Sequence, residues 1–195
     1  MSMNTVNERI AALRAAMEAQ GCAAYIIPTG DPHSSEYLPT HYNSREYFSG
    51  FTGENSNLVV TRTGSALWAD GRFFVQAEKQ LAGTEIALQK MGEPGVPTVE
   101  EYCAKALNEG EALGLCGFTA ACGLVRSLQK ALDAKHCTIK TLHLEDELWI
   151  EGRPELPATP AWILSKEYAG FSPAEKLDQL RSKLKELGCT AQFVG

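Results

Sequence analysis

Between Pro28 and Asn57 the chain reads PTGDPHSSEYLPTHYNSREYFSGFTGENSN, dense in ionisable and aromatic groups and too long for an ordinary connection. Asp31, His33, Glu36 and His41 carry the carboxylate oxygens and imidazole nitrogens that suit zinc or manganese. Their spacing matches no known cage, and Pro32 and Pro39 stiffen the segment. No metal site is therefore expected in this chain. Asp31 before Pro32 instead reads as a turn initiator, with His33 hydrogen-bonding locally.

Other reactive arrangements are missing. No serine stands in a G-x-S-x-G elbow, and neither G-x-x-x-x-G-K nor G-x-G-x-x-G occurs, so neither acyl transfer nor a phosphate cradle is indicated. His136 and His143 flank an expected strand and read as surface or structural groups. Two charged positions stand out. Glu36, in a loop beside Tyr37, is the kind of carboxylate that could hold an ammonium group such as a peptide's amino terminus. Arg72 follows the Asp70-Gly71 turn, where side chains face an open sheet edge; ligand contact and a salt bridge to Asp70 are both open readings. Arg45 carries the same ambiguity. Trp68, in an apolar strand, reads as core.

The elements that must position these groups alternate in the manner of an α/β domain. An amino-terminal helix with no signal-peptide pattern leads into a strand at 23–27. NLVVTRTGSALWAD reads as a hairpin around Thr63-Gly64, and GRFFVQAEKQL turns helical after Asp70-Gly71. A strand is expected at 86–90, then a helix capped by Thr98 with Glu101 completing a capping box. Strands at 113–118 and 138–142 enclose a helix in AACGLVRSLQKAL, and LEDELW forms a short helix. Three prolines in EGRPELPATP demand an extended linker and end the first domain, expected at 1–157.

Composition narrows the partners. Of 195 residues, 44% are hydrophobic and 22% charged, and the net charge of −6 has no basic cluster, which argues against nucleic acid and anionic lipid as partners on electrostatic grounds. No apolar run approaches the roughly 20 residues that a membrane span requires. Six cysteines without C-x-x-C spacing read as small hydrophobes in a reduced, cytoplasmic protein.

The carboxy-terminal LDQLRSKLKELGCTAQFV can be laid over IAALRAAMEAQGCAAYII by a constant shift that puts residue 10 on residue 177. Leu13 then falls on Leu180, Arg14 on Arg181, Gly21 on Gly188 and Cys22 on Cys189. Both copies describe an amphipathic helix, a glycine-permitted turn and a buried strand, here at 191–194. Residues 158–195 are accordingly expected to be the truncated start of a second, related domain.

Taken together, YIIPTGDPHSSEYLP, SREYFSGFTG, ALWADGRFFVQAEKQL and LEDELWIEGRPELP resemble, in order and spacing, the amino-terminal region of three-domain Xaa-Pro aminopeptidases of the creatinase/prolidase group. The sequence departs from that pattern at FTGENSN, where Glu54 and Asn55 replace small residues. The resemblance implies a ribonuclease-H-like α/β domain with a central mixed sheet flanked by helices. It also implies a separate carboxy-terminal pita-bread domain that holds two divalent metal ions, manganese by family habit, and releases the residue before proline. No position here matches the metal ligands, so no catalytic residue is expected in this chain. A homodimer in the cytoplasm, with peptides carrying proline in second position as substrates, is implied too. Glu36, Arg72, His33 and Arg45 become groups near the substrate's amino end or at interdomain contacts. The alternative, from another class, is a free-standing peptide-binding module without a catalytic domain; a self-sufficient small hydrolase is a third.

Overall fold

The computed structural model describes residues 5–192. The chain divides into two compact units, Met1–Leu156 and Pro157–Gly195.

In the first unit, helix α1 (Val6–Ala19) starts where Thr5 accepts the Glu8 N–H and Glu8 reaches back to the Thr5 N–H, a complete capping box. Its buried stripe is Ile10, Leu13 and Met17. Gly21 at φ +63° then lets the Gly21 and Cys22 amides reach the carbonyls of Glu18 and Met17, a Schellman close that turns the chain into strand β1 (Ala24–Pro28). There follow α2 (Ser44–Ser49), β2 (Asn57–Thr61), β3 (Ser65–Ala69), α3 (Phe74–Gln80), β4 (Ile86–Lys90) and α4 (Val99–Ala106). The unit ends with β5 (Ala112–Leu115), α5 (Cys122–Leu132), β6 (Thr138–Thr141) and α6 (Leu144–Leu148). The hairpin at Gly64 and the Thr98–Glu101 capping box form as the residue types require.

The six strands make one sheet in the order β4-β3-β2-β1-β5-β6. Only β2 runs against its neighbours; β1, β5 and β6 are mutually parallel, as are β3 and β4. Both faces are covered, which is why β1 is buried along its whole length and reads as a continuous apolar run. Tyr25 and Ile27 pack with Ile10, Leu13 and Phe48 on one face. Ala24 and Ile26 pack with Trp68, Cys103, Leu128 and Leu132 on the other. The result is a mixed sheet between two helical layers, the fold class implied by the resemblance. Trp68 is core, its indole N–H donating to the Pro97 carbonyl at 2.7 Å.

Two connections flank the middle of the sheet. Leaving β1, the chain passes through α2 on the first face and returns as β2; leaving β5, it passes through α5 on the opposite face to β6. The carboxyl ends of the adjacent parallel strands β1 and β5 thus open into loops that part company.

Three elements differ from the sequence reading. The long loop contains α2, closed by Gly50 in the left-handed region and held by buried Arg45 and Phe48. Strand β5 stops at Leu115, three residues early, because the Cys116 carbonyl accepts the amides of Thr119 and Ala120 and turns the chain. The helix expected from Ala120 starts at Cys122.

In the second unit, α7 (Lys166–Ala169) precedes α8 (Pro173–Glu186), which Ser172 and Glu175 cap with a third reciprocal box. Gly188 adopts φ +67°, and the Gly188 and Cys189 amides close on Lys185 and Leu184. Ala191 and Gln192 are not in a strand, and the remainder of the expected strand lies outside the described residues.

Candidate functional site

The segment 29–56 is tied into a fixed shape by its own polar groups. Thr29 bonds to Ser56 through backbone N–H and hydroxyl, both at 2.9 Å. Asp31 is buried and its Oδ1 accepts the amides of His33 and Ser35, each at 2.9 Å. Burial opposes ionisation there, but those backbone hydrogen bonds outweigh it and hold the carboxyl below its usual range.

Arg45 locks the other end. Its guanidinium donates to Thr29 Oγ1 at 3.1 Å, to the Gly53 carbonyl at 2.5 Å and to the Phe51 carbonyl. Burial lowers its pKa to about 10, against the raising effect of Glu46. Within the turn that Arg45 holds, Gly53 is obligatory: a Cβ there would sit 2.2 Å from the Phe51 ring. The departure from the family pattern at Glu54-Asn55 is accommodated by Asn55 at φ +46°, a region asparagine tolerates better than most residues.

This scaffold encloses a cavity of about 520 Å³ whose walls include Glu36, Tyr37, Arg45, Glu54 and Arg72. Three of the four residues singled out from the sequence are therefore brought together. His33 is exposed and is not one of the walls; only its amide serves the Asp31 turn. Arg72 pairs with Asp70 through two side-chain bonds, Nη2 to Oδ2 at 2.7 Å and Nε to Oδ1 at 3.1 Å. That hydrogen bonding lowers the Asp70 pKa and raises that of Arg72, to which Glu54 adds. Glu36, by contrast, has no hydrogen-bond or ion-pair partner among the described residues.

Sequence reasoning missed Glu46 and Glu54, which complete the walls, and it missed Glu145 altogether. Glu145 stands in register with Leu148 and Trp149 on the inner side of α6, and a carboxylate at that spacing among apolar residues was the available signal.

Could this chain hold a metal pair? Asp31 Oδ1 is committed to two amides, and His41 Nδ1 lies 2.8 Å from the Pro154 carbonyl. No group of three or more metal-ligating side chains converges among the described residues. The donor set does not fit a dinuclear centre. All six cysteines are free, four of them buried. No helix among the described residues is long and apolar enough to cross a membrane.

A six-stranded mixed sheet between helical layers, with a loop-built polar cavity beside it, defines an α/β domain. The family model of the creatinase/prolidase N-terminal domain matches residues 9–145, and the chain belongs to that family. It is 38% identical over 191 residues to aminopeptidase P2 of Arabidopsis thaliana, covering 95% of this chain and 27% of that protein. The crystal structure of the X-prolyl aminopeptidase of Caenorhabditis elegans, described as a cytosolic enzyme with a di-nuclear active site, superposes with a TM-score of 0.82 at 32% identity over 95% of this chain and 32% of that one. The N-terminal domain of the cytoplasmic peptidase PepQ from Mycobacterium tuberculosis H37Rv covers 72% of this chain and 97% of its own, with a TM-score of 0.52 and 27% identity. The chain thus spans about a third or less of the full-length aminopeptidases it matches.

Proposed function

We propose that this chain is the non-catalytic amino-terminal part of a cytoplasmic Xaa-Pro aminopeptidase, and that it shapes substrate access and contributes to a homodimer. Residues 158–195 then begin a second domain of the same build; the reciprocal caps at Thr5 and Ser172 and the matching closes at Gly21 and Gly188 support that reading. Catalysis resides in a separate carboxy-terminal domain carrying two divalent ions, manganese in this reading, which supply water activation and oxyanion stabilisation.

The observation that carries the proposal is the unpartnered Glu36 carboxylate on the wall of a 520 Å³ cavity whose cations, Arg45 and Arg72, are already engaged. An incoming ammonium group meets a carboxylate with no ion-pair partner there, while the charges of Arg45 and Arg72 are already directed at the Phe51 and Gly53 carbonyls and at Asp70. Arg72 keeps the Asp70 turn in place, Arg45 keeps the 51–53 segment in place, and His33 stands at the outer rim of the loop. All three position the wall that presents Glu36.

Charge reversal, Glu36→Lys, in the full-length enzyme tests this. A charge-assisted hydrogen bond contributes about 1.5–3 kcal/mol, so kcat/KM for Xaa-Pro peptides should fall roughly ten- to a hundredfold, with the fold intact because Glu36 is exposed. Unchanged kinetics would remove Glu36 from the substrate path.

A further inference from the structure

A second cavity, of about 260 Å³, opens where β1 and β5 end. Pro32 lines it from the segment after β1, Phe118 from the segment after β5, and Glu145 and Arg153 from the end of the unit. Its position is the crevice outside the carboxyl ends of two parallel strands whose connections leave for opposite faces of the sheet, which is where open α/β sheets hold ligands.

Two of its walls carry complementary charges that the fold leaves only partly satisfied. Glu145 is 3% exposed, yet its carboxyl has a single side-chain partner, the Tyr25 hydroxyl donating to Oε2 at 2.5 Å. A carboxylate offers about four acceptor sites, and burying one without a cation is unfavourable. Arg153, with a side chain 12% exposed, donates through Nε to the His41 carbonyl at 3.1 Å and through Nη1 to Asp146 at 2.5 Å; its Nη2 has no partner among the described residues. The two groups are near enough for Arg153 to act electrostatically on Glu145. Phe118, 64% exposed, supplies an apolar surface at the mouth.

We propose that this cavity binds a free α-amino acid with an apolar side chain, the ammonium group on the Glu145 carboxylate and the carboxylate on Arg153. A volume of 260 Å³ lies just below the range for drug-sized ligands and suits a molecule of this size. A simple amine would leave the Arg153 Nη2 without a hydrogen-bond partner, and a simple acid would leave the Glu145 carboxyl with the Tyr25 hydroxyl as its single side-chain partner. Burial also raises the Glu145 pKa, to about 7 against the lowering effect of the Tyr25 hydrogen bond, so a bound ammonium would draw out the charged form. The inference is independent of the Glu36 cavity, and Glu36→Lys should leave it unaffected.

The test is a titration of the whole chain, followed by amide chemical shifts, with L-leucine, with 3-methylbutylamine as its decarboxylated counterpart and with 4-methylpentanoate as its deaminated counterpart. The expected result is millimolar or tighter binding of leucine, shifts centred on Ser44, Thr119 and Glu145, and at least tenfold weaker binding of both counterparts. Glu145→Gln should weaken leucine at least tenfold with the circular dichroism spectrum unchanged. If that variant fails to fold, the two counterparts on the unmodified chain still decide the matter. Absence of shifts at tens of millimolar leucine, shifts centred elsewhere, or a counterpart binding as well as leucine would overturn the proposal.

Discussion

Helices α1 and α8 are built from the same local instructions and meet different fates. Each has 14 residues, opens with a reciprocal capping box and ends with a glycine at φ near +65° and the same pair of closing amide bonds. Yet Ile10, Leu13 and Met17 of α1 are buried against a six-stranded sheet, whereas no residue of α8 is buried, and Leu177, at the position equivalent to Ile10, is 48% exposed. Capping and turn chemistry specify where a helix begins and ends. Only a partner surface converts its apolar stripe into stability, since an isolated helix of this length is marginal in water.

The comparison breaks most sharply at equivalent leucines. Leu13→Ala removes a fully buried side chain and should destabilise the first unit by about 3 kcal/mol, within the usual span for such cavities. Leu180→Ala, half-buried on α8, should change stability by less than about 1 kcal/mol. Urea unfolding read from the near-ultraviolet signal of the first unit's buried aromatics measures both. Comparable losses at the two sites would mean that α8 has a partner as extensive as the sheet.

A second contrast is electrostatic. The first unit buries Glu145, whose neighbours are Tyr25 on β1, Cys116 after β5, Asp146 within α6 and Arg153 beyond it, while every carboxylate of α8 lies at least partly in solvent. Because burial raises the folded pKa of Glu145 from 4.5 to about 7, the folded state binds its proton more tightly than the unfolded chain does. Its stabilising contribution is full below pH 4.5 and is lost as pH rises to about 7, a fall on the order of 3 kcal/mol by 1.36 kcal/mol per pH unit. Thermal melts from pH 5 to pH 8 should show the first unit weakening. Glu145→Gln should flatten that slope and raise Tm at pH 8, with little effect at pH 5. A slope unchanged in the variant would assign the pH dependence to another group.

What the sequence disclosed tracks the range of the interactions. The Thr98–Glu101 capping box, the Gly64 hairpin and the 86–90 strand depend on residues within a few positions of one another and were legible, whereas the boxes at Thr5 and Ser172 went unread. Glu36, Arg45 and Arg72 were singled out by residue type and loop position, but that they line one cavity depends on how segments far apart in the chain fold together. The choice between ion pair and ligand contact for Arg72 was not legible, because it depends on where the Asp70 oxygens point. Arg45 turns out to be buried because carbonyls of Phe51 and Gly53 converge on it, which no spacing rule encodes. Glu145 was missed because its partner, Tyr25, lies more than a hundred residues away. The α2 helix is only 6 residues long and needs tertiary burial of Phe48 to persist, so its periodicity was too short to read.

The smallest effect probes the caps themselves, where the two helices are most alike. Thr5→Ala removes the side-chain oxygen that accepts the Glu8 amide, and Ser172→Ala does the same for Glu175. Each loss is worth about 1 kcal/mol of helix stability. In α1 that loss is transmitted through Ile10, Leu13 and Met17 to the whole first unit, so its unfolding midpoint should shift and amides throughout the sheet should exchange faster with solvent. In α8 the same loss has no buried stripe to transmit it. Exchange should quicken at residues 173–186 alone, with the midpoint of the first unit unmoved. Hydrogen exchange on the two variants reads both outcomes from one experiment, and a shifted first-unit midpoint in Ser172→Ala would show that identical caps do govern equal shares of the structure.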